Sequence, residues 1–411
     1  MKRLLALSWC MPPIVMPRSI QVSRLLASLT DFDWQVDVVC VDHTSLRPER
    51  IILDDSFNRP ANGRVKKFPV PSLEDWILVR GLIRIFPAIA YLPDTRYVWK
   101  NAAFRKCDLL AASTKYDAFI SFAQPWTDHL AGLQFAENNH LPWVAHFSDP
   151  WADSPFLLNS RFVKNTCLDM EEAVIGRADA VIFVTQQTSD LVMKKYPQEW
   201  QKKVHVIPHG FEPDVSSNSE KNVSSPLEFV YTGNFYGHRK PDSLLEAAQK
   251  LAAEPAYKGT FKIRFVGPIS EEYRQKVQHM GLSDTVLFEG PVSFSASQDF
   301  CRKADVLLVI DAPSESTSVF LPSKLVDYLA FNKPILGLTP ASGGSADLIE
   351  QLGCQTVRPD DVSGIAGQLA RLIDDHLSGR LSLPDKFAQT AARYHINHAA
   401  ESLNQLLTSL I

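Results

Sequence analysis

Residues Ala304 to Pro340 read ADVLLVIDAPSESTSVFLPSKLVDYLAFNKPILGLTP, and this stretch decides the fold. Val306 to Ile310 is a continuous apolar, β-branched run of the length of a strand buried on both faces. After a polar loop, Pro322 stands where the first turn of a helix tolerates a missing N–H, with Ser323 or Thr317 available as a cap. The helix so begun carries Lys324 and, one turn on, Asp327. AFNKPILGL then leads out into a second buried strand. A helix that opens at the carboxyl end of a parallel strand turns unpaired amides toward a ligand, and α/β sheets collect phosphorylated ligands there. Lys324 adds a full charge to that field, and the Asp327 carboxylate can accept hydrogen bonds from two vicinal hydroxyls of a ribose. The pattern is that of a nucleoside diphosphate site.

The remainder alternates in the same way. Candidate strands Arg3 to Trp9, Trp34 to Val41, Asp117 to Phe122, Trp143 to Phe147 and Ala180 to Val184 enclose helical patterns at Val22 to Leu29, Trp126 to Glu137 and Phe162 to Arg177. A second series follows at Leu227 to Thr232, Phe261 to Val266, Val286 to Phe288, Val306 to Ile310 and Ile335 to Leu338. Strands alternating with helices argue for βαβ construction, and two series argue for two Rossmann-like domains. The 411 residues suffice for two cores. Asp214 to Pro226, DVSSNSEKNVSSP, is polar and ends in proline, as an exposed connection does. The expected domains are therefore 1–208 and 209–385, with a last helix, 386–411, that follows the second series.

Composition closes off several classes of function. A net charge of −4 and a pI near 6.3 argue against a nucleic-acid partner. Six cysteines lie scattered, with no CxxC pair and no metal-ligand spacing, which suits a reduced cytoplasmic interior. MKRLLALSWCMPPIV has a basic tip, but Ser8, Pro12 and Pro13 interrupt any signal-peptide core, so it reads as the first strand. No run of eighteen apolar residues is present to span a bilayer. Between Trp76 and Pro93, Arg80 and Arg84 share a helical face among Trp76, Ile77, Leu82, Ile85 and Phe86, and Arg96, Lys100, Arg105 and Lys106 follow. That pattern fits an interfacial helix drawn to anionic lipid, or equally a buried helix with snorkelling arginines. The GxSxG, GxxxxGK[ST] and HExxH motifs do not occur.

The Ala304 to Pro340 segment resembles the donor-binding signature of glycosyltransferase family 4, sugar-nucleotide enzymes of the GT-B fold. The resemblance implies two Rossmann-like domains facing each other across a cleft, the last helix packing back on the first domain. It places Asp327 at the second acid of the family's Glu-x7-Glu motif, which binds the donor ribose, while Val319 stands at the first acid. Ser323, Lys324 and Leu325 belong to the same helix start. MPPIVMPRSIQVSRLLASL, from Met11, resembles the loop and helix start that face the donor phosphates. Arg18 supplies charge there in place of the usual glycine pair.

LEFVYTGNFYGHRKPDSLLEAAQKL, from Leu227, resembles the opening of the family's donor domain. Gly233 is its glycine, Asn234 stands where relatives carry an Arg, Arg239 matches their Lys, and Lys240 adjoins it. FEGPVSFSA resembles the base-binding edge, so backbone groups around Pro291 and Val292 would read the nucleobase. On the acceptor side, SFAQPWTDHLAGL and LPWVAHFSDPW resemble a bacterial subgroup pattern that carries His129 and Asp149 to the reacting sugars. Ser148 replaces a His common there, and His146, in a strand, reads as a core residue or a ligand contact.

The implied activity is a retaining, metal-independent transfer of a sugar from a nucleoside diphosphate to a hydroxyl, by attack on the same face. Arg239 and Lys324 would hold the departing diphosphate, so neither a metal nor a separate cofactor is called for. The cationic, aromatic-rich segment 76–106 points to a lipid-linked saccharide acceptor at the inner membrane face, as in bacterial polysaccharide or lipopolysaccharide assembly. A GT-B epimerase acting on sugar nucleotides and a non-catalytic sugar-nucleotide scaffold are the alternatives.

Overall fold

The computed structural model describes residues 1–57, 63–214, 226–235, 237–314 and 317–411. All but the two ends of the connection expected between Asp214 and Pro226 lies outside the described residues. The chain forms two compact units, Met1–Gly210 together with Ile396–Ile411, and Phe211–His395.

The first unit is built on strands β1 (Lys2–Leu7), β2 (Trp34–Val41), β3 (Val65–Val70), β4 (Ala118–Phe122), β5 (Trp143–Phe147), β6 (Ala180–Phe183) and β7 (Val204–Val206). They lie in the order β3-β2-β1-β4-β5-β6-β7, every pair parallel. Strands β8 (Leu227–Thr232), β9 (Phe261–Val266), β10 (Val286–Gly290), β11 (Val306–Ile310), β12 (Ile335–Leu338) and β13 (Gln355–Val357) make the second sheet. Its order, β10-β9-β8-β11-β12-β13, is again wholly parallel. Both are Rossmann sheets whose strand order reverses beside the first strand. Each sheet is coated on both faces by apolar clusters, so the inner strands are mostly buried, with Arg3, Glu228, Lys262 and Arg264 among the half-buried exceptions.

The sequence pattern missed β3, β7 and β13, and one physical reason covers all three. The first is an edge strand and the other two are three-residue edge strands, so none carries an unbroken apolar run. Only an edge tolerates Pro69 within β3, because proline has no N–H to give a second neighbour. The first helix also begins earlier than its apolar periodicity suggests, at Pro17, which supplies the helical φ of the first turn.

The expected single C-terminal helix is two, Phe387–Ala392 and Ile396–Leu410. Between them the chain pairs with the start of the second unit: the Phe211 N–H donates to the Tyr394 carbonyl at 2.9 Å, and His395 bridges Phe211. Gly210 permits a close approach, since a Cβ there would run into the Ile396 backbone. Helix Ile396–Leu410 buries Ile396, Ala399, Ala400, Leu403, Leu406 and Leu407 against Val22, Leu25, Leu26 and Trp34 of the first unit. Asn404 fixes its register by accepting the Trp34 indole N–H at 2.9 Å. Each fully buried leucine adds roughly 2 kcal/mol.

Helix Ile77–Ile85 has no buried residue, which sets aside the reading as a core helix. Trp76, Ile77, Ile85 and Phe86 are 58%, 76%, 70% and 59% exposed. Among the described residues no helix is long and apolar enough to cross a membrane.

Candidate active site

In the second unit the strand order reverses between β8 and β11, and the loops leaving those two strands bring the charged residues together. Helix Ser323–Tyr328 is tied to this edge from below. Leu325 and Val326 enter the core beside Val309 and Leu329. The Tyr328 hydroxyl accepts the Thr232 N–H at 2.9 Å at the end of β8. With one face so anchored, Lys324 and Asp327, three residues apart, stand on another.

Lys324 lies against Gly233. That glycine has φ +122°, its N–H donates to the Val266 carbonyl at 2.8 Å, and a Cβ on it would collide with the Lys324 Nζ. Nζ sits 3.9 Å from the centre of the Tyr231 ring and is itself buried, with no hydrogen-bond partner among the described residues. Burial, and then the nearby Arg239 guanidinium, hold the ammonium well below the usual lysine range, while Asp311 pulls the other way. Arg239 Nη2 donates to Asp311 Oδ1 at 3.3 Å, and both side chains are largely buried. Burial raises the Asp311 carboxyl, against the lowering effect of Arg239 and Lys324. Two cations and one anion thus share a desolvated cluster at the carboxyl ends of β8 and β11. Such a cluster attracts a further anion.

Sequence reasoning did not single out Asp311. Its signal was there, a carboxylate directly following five apolar residues of a central strand. Asp327 is partly exposed at the same edge. Pro291 is exposed in the loop after β10, and Val292 packs on the core beneath it.

Three expectations for this unit are corrected. Leu325 is fully buried and its N–H is used by the Pro322 carbonyl, so it is a packing residue rather than a donor contact. Neither Ser323 nor Thr317 caps the helix, since the capping position is Pro322, which has no side-chain acceptor. The helix is only six residues long, so Lys324 rather than a helix dipole supplies the field. Lys240 is exposed beside Arg239 and acts electrostatically on Asp242, which Lys276 and Tyr273 also hold.

In the first unit, Arg18 turns inward. Its Nη2 donates to His146 Nδ1 and to the His146 carbonyl, both at 3.0 Å, and the guanidinium lies 5.4 Å from the Phe122 ring. Burial lowers it to about 10. Arg18 is therefore a brace on β5, not a phosphate contact, and His146 is its neutral acceptor, held well below the usual histidine range by burial and by Arg18.

His129 is likewise a core residue. Its ring is fully buried against Phe147, and Nδ1 pairs with Ser121 Oγ at 2.8 Å. Ser121 also accepts the Trp143 indole N–H at 2.9 Å, so one hydroxyl ties both rings into the core. No sugar hydroxyl reaches a ring so enclosed.

Asp149 remains partly exposed beyond β5, bonded by Ser148 at 3.0 Å and raised by burial. The turn that carries it is held by a residue the sequence reading passed over. Glu171, fully buried, accepts the Ala152 N–H at 3.1 Å, the Lys195 ammonium at 2.6 Å and the Tyr196 hydroxyl at 2.7 Å.

Residues 19–215 match the model of glycosyltransferase family 4, and residues 226–375 match that of the glycosyl transferases group 1. The chain belongs to the GT-B glycosyltransferases. Solved structures share its fold over essentially its whole length. Sucrose-phosphate synthase from Thermosynechococcus elongatus superposes with a TM-score of 0.70 at 17% identity, covering 100% of this chain and 99% of that one. Anabaena HepE in complex with UDP gives 0.66 at 15%, covering all of both chains. The lipopolysaccharide outer core galactosyltransferase WaaB gives 0.62 at 14%, again over both whole chains. Comparison with curated proteins finds no match.

Proposed function

We propose that this glycosyltransferase moves a sugar from a nucleoside diphosphate donor to a hydroxyl of a lipid-linked saccharide, with retention of configuration and without a metal. The observation that carries the donor half is the meeting of Arg239 and Lys324 around Asp311 at the switch point of the second sheet. Arg239 offers a two-pronged guanidinium and Lys324 a point charge to the diphosphate oxygens. Charge that develops on the leaving group is then met by cations already in place, the electrostatic term that lowers such barriers most. Asp327, on the helix that carries Lys324, is the ribose acceptor. A relative in fold that holds UDP supports the same class of donor.

Asp149, raised by burial and held by Ser148, is the polar group assigned to the acceptor side. Retention and independence from metal carry over with the family-4 resemblance, and they suit a site whose positive charge comes from side chains. The acceptor reading rests on helix Ile77–Ile85. Its apolar residues face water, and Arg80 and Arg84 stand among them, the pattern of a helix lying in an anionic lipid surface. The likeness in fold to a lipopolysaccharide galactosyltransferase favours a role in bacterial surface polysaccharide synthesis in the cytoplasm.

Incubation with uridine, guanosine and thymidine diphosphate sugars tests the donor half. Slow release of free sugar is expected from one of them; a modified sugar nucleotide as product would mark an epimerase, and binding without turnover a scaffold. Flotation with anionic liposomes tests the acceptor half, and a protein left wholly in the soluble fraction would overturn it.

A further inference from the structure

Asp311 needs explaining, because a site meant for an anionic donor gains nothing in affinity from an anion of its own. Its carboxylate follows β11 directly, its N–H is fixed to the Leu338 carbonyl at 2.9 Å, and only 8% of its side chain is exposed. Oδ1 takes the Arg239 guanidinium, and Oδ2 is buried with no hydrogen-bond partner among the described residues. Lys324 faces the same carboxylate from helix Ser323–Tyr328. The Ser345 hydroxyl faces it from helix Gly344–Gln351 without closing a hydrogen bond.

Without Asp311, two desolvated cations would repel each other in the free enzyme. With it, the Arg239 guanidinium is held by a carboxylate. A diphosphate carries more negative charge than that one carboxylate, so the two then compete for the same guanidinium.

We propose that Asp311 is the resident counter-ion of the donor site: it holds Arg239 while the site is free, yields it to the incoming diphosphate, and recaptures it as the nucleoside diphosphate leaves. This rests on the donor reading given above. Asp311 is thereby a positioning residue that acts through Arg239, trading donor affinity for product release.

The test is Asp311→Asn, close in shape but without charge, with Asp311→Ser as a second neutral variant and thermal unfolding to show that each is folded. Affinity for uridine, guanosine and thymidine diphosphates and for inorganic pyrophosphate is measured by calorimetry, beside donor kinetics. Both variants bind the preferred nucleoside diphosphate and pyrophosphate about tenfold more tightly, a gain of about 1.4 kcal/mol. Donor KM and kcat fall together as release slows. In an Arg239→Ala background the tightening shrinks severalfold. Folded variants that bind no more tightly than the wild type overturn the proposal, as does tightening of undiminished size without Arg239. If the wild-type protein binds none of these ligands, the donor reading falls and takes this proposal with it; binding without tightening sinks the counter-ion alone.

Discussion

Replacing Lys324 by methionine separates the charge at this position from its packing. Methionine has a similar length and flexibility, so it can lie along Gly233 and over the Tyr231 ring as the lysine stem does, but it offers nothing to a diphosphate. Arg239 stays in place on Asp311. Two routes give the expected loss. Removal of one preorganised donor from a site of developing charge costs about 10²–10³ in kcat, or about 2.7–4 kcal/mol. A unit charge pair about 4 Å apart at an effective dielectric of about 20 gives about 4 kcal/mol, close to the top of that range. The assay is a continuous measurement of nucleoside diphosphate release over a range of donor concentrations. A kcat within tenfold of the wild type would refute the role given to Lys324.

The same variant makes a second, opposite prediction. A buried ammonium without a hydrogen-bond acceptor destabilises the fold, and methionine removes that penalty, so the variant is more stable at pH 7 by about 1–3 kcal/mol. The sign with pH follows from the lowered lysine. Between its folded value and the ordinary range near 10.4, the unfolded chain binds a proton that the folded chain does not. Wild-type stability relative to the variant therefore rises with pH through that window. Urea titrations across the alkaline range should show the advantage of Lys324→Met shrinking. An advantage that grows would mean that the ammonium is well solvated.

Gly233→Ala places a methyl group against the Lys324 Nζ at a φ that L residues avoid; it should lower stability by at least about 1 kcal/mol and weaken nucleoside diphosphate binding, both read by ligand-dependent thermal shift. His129, His146 and His209 are all held well below the usual histidine range by burial, so below about pH 6.5 the unfolded first unit takes up protons that the folded unit refuses. Each contributes up to about 1.4 kcal/mol per pH unit, as does His205, also lowered by burial, and the raised carboxyls of Glu74, Asp128 and Asp149 oppose these four with at most three protons. The urea midpoint of the first unit should thus fall on acidification from pH 7 to pH 5.5; a flat or rising midpoint would contradict the burial of these rings.

How far the sequence could be read depended on whether a signal was local. Trp34–Val41, Trp143–Phe147, Leu227–Thr232, Phe261–Val266, Val306–Ile310 and Ile335–Leu338 were legible to the residue, because a strand packed on both faces is rich in apolar and β-branched residues even where Asp37, Glu228, Lys262 or Arg264 interrupts it. The edge strands β3, β7 and β13 left no comparable signal. Lys324 and Arg239 were legible as a pair because each follows a strand whose carboxyl end lies at the site. Arg18 and His129 stand near comparable motifs, but their directions depend on packing partners that spacing cannot reveal. Phe122 and His146 draw Arg18 inward, and Ser121 with Phe147 encloses His129.

The residues passed over share a second property. Asp311 and Glu171 are carboxylates, which usually lie in water, and each is buried because a cation from another element comes to meet it. Lys195 satisfies Glu171 together with two further donors, and the result is a closed brace. Around Asp311 the count does not close among the described residues: Asp311 Oδ2 and the Lys324 ammonium have no hydrogen-bond partner there. Desolvated charge held in that condition costs stability, and a binding site recovers the cost only when the missing anion arrives. The unbalanced cluster, more than any single residue in it, is what distinguishes this edge of the sheet from the braced turn in the other unit.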